Sequence, residues 1–146
     1  MYIEKVTAVT DELVSAVQKL VPFLGAHKPI PSRSDLFALL DSSSSILFIA
    51  RHPDETSPIV GMLTLSVYRV PTGIRSIIED VVVDDAYRKQ GIARAIMEHA
   101  ITAAREAGAN GISLTSNPLR VEANKLYQTL GFQKRDTNAY FYKLES

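Results

Sequence analysis

The sequence contains no cysteine, which removes disulfide bridges, thiolate zinc sites and a cysteine nucleophile together. It has no excess of either charge: Lys and Arg number 16, and so do Asp and Glu. No global field therefore draws the chain toward nucleic acid or an anionic membrane, and neither is expected as a partner. Nowhere do about eighteen apolar residues run together, and the opening MYIEKVTAVTDE lacks a basic segment followed by an apolar one. A cytoplasmic location is the expectation. The three histidines, His27, His52 and His99, are too scattered to suggest a metal site, so no metal is expected. Two phosphate-binding patterns are missing as well, the Walker G-x-x-x-x-G-K-[ST] and the dinucleotide G-x-G-x-x-G. At 146 residues the chain has the common size of one domain with one sizeable core, and a single domain over residues 1–146 is expected.

What is present is centred on Ile77 to Ala107. A β-branched run, Ile77-Ile78 then Val81-Val82-Val83, leads through Asp84-Asp85 and a basic turn, Arg88-Lys89-Gln90-Gly91-Ile92-Ala93, into a long amphipathic helix. The first turn of a helix has N–H groups without intrahelical partners and carries the positive end of the macrodipole, so backbone alone can hold a phosphate. Gly91 permits close approach, and Arg88, Lys89 and Arg94 add formal charge around the same point. A pyrophosphate site is predicted here.

Around this centre the patterning predicts strands over residues 2–7, 46–50, 59–70, 75–83 and 112–115. Helices are expected from Thr10 or Asp11 until Pro22 and Gly25, from Ser32 or Ser34 through Leu40, over the long segment ending at Gly108, and over Val121 to Leu130. Phe132 to Arg135 and Tyr140 to Leu144 are read as two last short strands. Pro71-Thr72-Gly73 marks a hairpin, and the helical crossover should set the strand at 112 parallel to the central one. No internal repeat is visible.

R-x-x-G-x-A, Arg88 to Ala93 after a strand carrying Glu79, resembles the acyl-CoA signature Q/R-x-x-G-x-G/A of the GNAT superfamily of N-acetyltransferases. A second element, ANKLYQTLGF at 123–132, resembles that family's A-x-x-L-Y-x-x-x-G-F. The order β-α-α-β-β-β-α-β-α-β-β also matches. The resemblance implies an α/β fold with a mixed, mostly antiparallel sheet flanked by helices, and acetyl-CoA as cosubstrate. It implies coenzyme contacts from Val81, Val82, Val83, Arg88, Lys89, Gln90, Gly91, Ile92, Ala93 and Arg94. Many members carry Asn seven residues before the tyrosine, where it touches pantetheine. Here that position is Arg120, with Asn117 and Asn124 on either side, and the contacting side chain is left open among the three.

The chemistry of amine acylation sets the remaining expectations. An alkyl amine near pKa 10.4 is mostly protonated at pH 7, so a base must take its proton, and the leaving thiolate benefits from an acid. The resemblance assigns Glu79 as base and Tyr127 as acid, and a backbone N–H near Val82 is the candidate for polarising the thioester carbonyl. Period-2 alternation sends Glu79 and Asp80 to opposite faces, so only one of them can face the acceptor cleft. The I-E-D sequence resembles glucosamine-phosphate acetyltransferases in this strand, and that resemblance implies Glu79 at the cleft, with structural pairing the reading for Asp80. The hairpin carrying Arg69 and Arg75 is expected near that cleft. The resulting expectation is N-acetyl transfer to a small-molecule or peptide amine by direct attack in a ternary complex, with a homodimer plausible. The competing readings are a catalytically silent acyl-CoA-binding module and a nucleotide-binding domain.

Overall fold

A computed structural model describes residues 1–145 of the chain, which form two compact units divided between Thr115 and Ser116. The first unit holds, in order, β1 (Tyr2–Lys5), α1 (Asp11–Leu24), α2 (Arg33–Asp41), β2 (Ser45–Arg51), β3 (Ile59–Val70), β4 (Gly73–Val83), a 3₁₀ turn (Asp85–Tyr87), α3 (Ile92–Glu106) and β5 (Ile112–Ser113). The second holds α4 (Val121–Thr129). This is the expected α/β class, with a five-stranded mixed sheet in the order β1-β2-β3-β4-β5.

Local chemistry places the helix starts. Thr10 caps α1, its Oγ1 accepting from the Leu13 N–H at 3.1 Å. Ser32 and Asp35 form a reciprocal capping box at α2. Pro22 does not end α1 as expected. It lies within the last turn, and the helix runs on to Leu24, with Gly25 as the cap.

The strands pair as sequential antiparallel neighbours from β1 to β4, and β5 joins β4 in parallel, as the helical crossover requires. Side-chain alternation divides the core into two layers. Leu47, Ile49, Met62 and Val82 pack with Leu13, Val17, Leu20 and Val21 of α1 and Leu36 of α2. Their alternating neighbours Phe48, Leu63, Leu65 and Ile78 face the other way, where α3 presents Ile92, Ile96, Met97, Ala100 and Ala104 at helical spacing, all at most 1% exposed. Burial of Ile92, Ile96 and Met97 contributes about 1.5–3 kcal/mol each and the two alanines less, so α3 is anchored mainly by this stripe.

The two expected final strands are not formed: residues 132–145 carry neither helix nor strand. Tyr140, Phe141, Tyr142 and Leu144 are each more than 80% exposed. Alternating apolar residues favour a strand only when a neighbour supplies the ladder, and none is paired with this segment.

Two features of β4 position the site. Opposite Leu63 the ladder slips: Thr64 pairs with Glu79 and Met62 with Val82, so Asp80 and Val81 together face one residue of β3. Asp80 takes a left-handed conformation, φ +53°, which Asp tolerates better than most residues. Secondly, β5 pairs with β4 only at Ser76 and Ile77, where the buried Ser76 hydroxyl donates to the Gly111 carbonyl at 2.8 Å. From Ile78 to Val83 that edge of β4 has no strand beside it among the described residues.

Candidate active site

The bulge overturns the alternation argument for the two carboxylates. Residues directly paired across a sheet share a face, so Glu79 stands with Thr64 on the side that packs α1 and α2. Asp80 lines a cavity of about 260 Å³ on that same side, together with Thr64, Met62 and Leu47. Both carboxylates are therefore on one face of the sheet, both are exposed, and it is Asp80 that borders the cavity. The α1–α2 loop contributes Lys28, Pro29 and Pro31, whereas His27 is an exposed loop residue outside the lining.

The hairpin arginines are elsewhere. Arg75 pairs with Tyr68 five residues along β4 from Asp80, roughly 17 Å at the rise of a strand. Its guanidinium donates to the Thr72 hydroxyl at 3.2 Å. The expectation that this hairpin borders the cleft fails because the strands are too long.

Backbone polarity on β4 also corrects one assignment. The Asp84 N–H donates to the Val60 carbonyl at 2.8 Å, and the Val67 N–H donates to the Ser44 carbonyl of the β2 side at 2.8 Å. Alternation from both bonds directs the Val82 N–H into the β3 ladder. Val82 is buried in the core by its side chain as well. The same alternation turns the Val83 N–H toward the open edge.

Beyond β4 the chain reaches the predicted anion site. The Asp84 side chain is buried, accepts from the Ala86 N–H at 3.0 Å and lies 3.4 Å from the Lys19 ammonium of α1. It thereby fixes the point at which the loop leaves the sheet. Lys89 and Gly91 both adopt left-handed conformations, φ +62° and +79°. Gly91 is the N-cap of α3 and, unlike Thr10 or Ser32, brings no side chain to bond the first turn. A Cβ there would meet nothing closer than Met1 Cε at 3.9 Å, so space at the helix start is open. Arg88 pairs with Asp85 at 2.6 Å and Arg94 with Glu98 at 2.9 Å, all four side chains about half exposed. Lys89 has no ion pair among the described residues. Gln90 is exposed, Ala93 half-buried, and Ile92 anchors the loop through its core side chain, leaving only backbone for a ligand.

In the second unit Tyr127 is 6% exposed and meets Phe132 edge to face, with ring centroids 6.2 Å apart. Burial pushes its phenol above the ordinary value, while the positive charge of Arg120 pulls in the opposite direction. The Asn117 carbonyl oxygen of the side chain accepts from the Leu119 N–H at 2.9 Å. Asn124 Nδ2 donates to the main-chain carbonyls of Asn117 at 2.9 Å and Arg120 at 2.8 Å. Both asparagines thus organise the turn that starts α4, and Arg120 occupies its N-cap position.

Residues 13–132 match the sequence model of the Acetyltransferase (GNAT) family. The chain belongs to that family. Members of this family are acetyltransferases that typically use acetyl-CoA with small-molecule or peptide amines as acceptors. Among curated proteins it resembles human N-acetyltransferase 8, 36% identical over 52 residues, or 36% of this chain. The match spans only 23% of that protein's length. Among solved structures, a "probable acetyltransferase" is similar over 100% of this chain and 99% of its own, with TM-score 0.86 and 23% identity. An acetyltransferase from Trypanosoma brucei matches over 97% and 100%, with TM-score 0.75 and 24% identity. An aminoglycoside acetyltransferase from an uncultured soil metagenomic sample, crystallised with sisomicin, matches over 99% and 96%, with TM-score 0.80 and 20% identity. At these identities the structural likenesses establish the fold.

The residues that patterning missed are Asp80 as a cavity wall, Lys28 and Asp84. For Asp80 a signal existed: Asp is among the few residues that accept a left-handed bulge position, and it follows Glu79 directly. For Lys28 and Asp84 no local pattern distinguished them from solvated charges. Among the described residues no group of three metal-ligating side chains gathers, and no helix is long and apolar enough to cross a membrane.

Proposed function

We propose that this chain transfers an acetyl group from acetyl-CoA to a primary amine by direct attack in a ternary complex, working as one catalytic domain. The observation that carries the reading is the β4 bulge, which brings Glu79 and Asp80 to one face beside a cavity, on the strand that continues into the uncapped start of α3. Acetyl-CoA supplies the activated acetyl group. Its pyrophosphate fits the first-turn N–H groups of α3, open because Gly91 adds no side chain, with Lys89 and Arg88 as counter-charges.

The residue roles follow from charge and position. Glu79 takes the amine proton, and Asp80, at the cavity wall, receives and orients the ammonium form before that step. The Val83 N–H is the donor available on the open edge of β4 for charge developing on a carbonyl oxygen. Tyr127 serves as the proton donor to the departing thiolate, since a phenol carries its proton at neutral pH. The aminoglycoside accepted by the soil relative is a polycation, and a cavity walled mostly by aliphatic side chains does not favour such a substrate here.

The test is thiol release from acetyl-CoA with a panel of amines, comparing wild type with Glu79→Gln and Asp80→Asn. Loss concentrated in kcat for Glu79→Gln and in KM for Asp80→Asn is expected. The reverse split would exchange the two roles, and tight acetyl-CoA binding without release from any amine would favour the silent binding module.

A further inference from the structure

The cavity under the α1–α2 loop narrows the acceptor, an inference that rests on the acetyl-transfer reading above. Three charged residues border it: Lys28, Asp35 and Asp80. Asp35 is already engaged, since its carboxylate accepts from the Ser32 N–H at 2.8 Å within the capping box. Lys28 and Asp80 are different. Neither has an ion-pair partner among the described residues, and they do not pair with each other, although they border one cavity. Both are exposed, so the opposite charges stand at the solvent side. Beneath them Val17, Val21, Leu36, Leu47 and Met62 are each at most 7% exposed and form an apolar floor.

We propose that the acceptor is a free α-amino acid with an apolar side chain. Asp80 receives its ammonium group, Lys28 its carboxylate, and the aliphatic floor its side chain. The alternatives leave groups unmatched. A simple alkylamine offers Lys28 nothing. An amino sugar would set hydroxyls against aliphatic walls without hydrogen-bond partners, and a polyamine would extend further ammonium groups over an apolar floor that carries no charge to meet them. The volume, about 260 Å³, lies below the range typical of sites for drug-sized ligands and suits a molecule of amino-acid size.

The experiment is initial-rate thiol release from acetyl-CoA with leucine, methionine and phenylalanine, set against leucinamide, isoamylamine, glucosamine and spermidine, for wild type and Lys28→Met. The expected result is a kcat/KM for free leucine about tenfold or more above that for leucinamide, the worth of one charge-assisted contact. Lys28→Met should abolish that preference by raising KM for leucine and not for leucinamide. Equal use of leucine and leucinamide, or a best rate with glucosamine or spermidine, would overturn the amino-acid assignment and leave acetyl transfer standing. Release with none of the amines would overturn it as well, and calorimetric titration with acetyl-CoA would then decide separately whether the donor site also fails.

Discussion

Glu79 pairs with Thr64 across the β3–β4 ladder, while Asp80, the next residue, stands in the bulge at φ +53° with no β3 residue of its own. The cost of this conformation depends on the side chain. A β-branched residue at Asp80 should destabilise the fold by about 1–2 kcal/mol, whereas glycine should be neutral or stabilising. Urea unfolding of Asp80→Val and Asp80→Gly checks this, and both variants should lose acceptor affinity because both lose the carboxylate. Equal stability of the two would mean that the bulge does not persist in solution.

Gly91 offers a similar separation of backbone from ligand. At φ +79° asparagine is tolerated and valine is strained. Gly91→Asn should unfold near the wild-type midpoint and still bind coenzyme A about tenfold or more weakly, because a side chain then competes for the first-turn N–H groups. Calorimetric titration giving wild-type affinity in the folded variant would remove the anion site from this loop.

Asp84 connects the sheet to the same loop. Alanine there leaves the Ala86 N–H without its acceptor and Lys19 without its partner, at a cost of about 1–3 kcal/mol. Coenzyme A affinity should fall with it although Asp84 is an anion and cannot itself attract a phosphate. If affinity instead rises, the loss of negative charge outweighs the loss of loop position.

Acid should weaken the junction of α1 with β2. Hydrogen bonding from Arg51 holds the Glu12 carboxyl below its ordinary value, with N–O distances of 2.8 and 2.7 Å. A folded-state value lowered below the unfolded one gives stability that is present above pH 4.5 and lost as pH falls through the folded value. Because the Glu12 side chain is half exposed, the contribution is at most about 1 kcal/mol. Glu12→Gln should therefore unfold at lower urea than wild type at pH 7 and converge with it in strong acid. A constant gap across that range would show that the pair does not titrate with folding.

The elements with strong periodicity were legible because burial and spacing agree in them. Ile92, Ile96, Met97, Ala100 and Ala104 mark α3, and Thr10 and Ser32 announce their helices by side-chain capping. In the loop from Arg88 to Gly91 the turn into α3 was legible, because the glycine that takes the left-handed N-cap position is recorded directly in the sequence. The face of Asp80 was not, since one inserted residue reverses every alternation after it and the one cue in IIEDVVV, an Asp that tolerates a left-handed position, is also compatible with a regular strand. Tyr140 and Phe141 show the converse: strand-like patterning without a partner makes no strand.

The bare cap of α3 sets this helix apart from α1 and α2. Thr10 and Ser32 complete their helices from within the chain, at every concentration of everything else. At Gly91 the completing group must come from solution, so part of the stability of α3 is set by mass action, growing as RT ln(1 + [L]/Kd) for any anion L that fits. The melting temperature of this protein should consequently report the level of its own phosphate-bearing ligand.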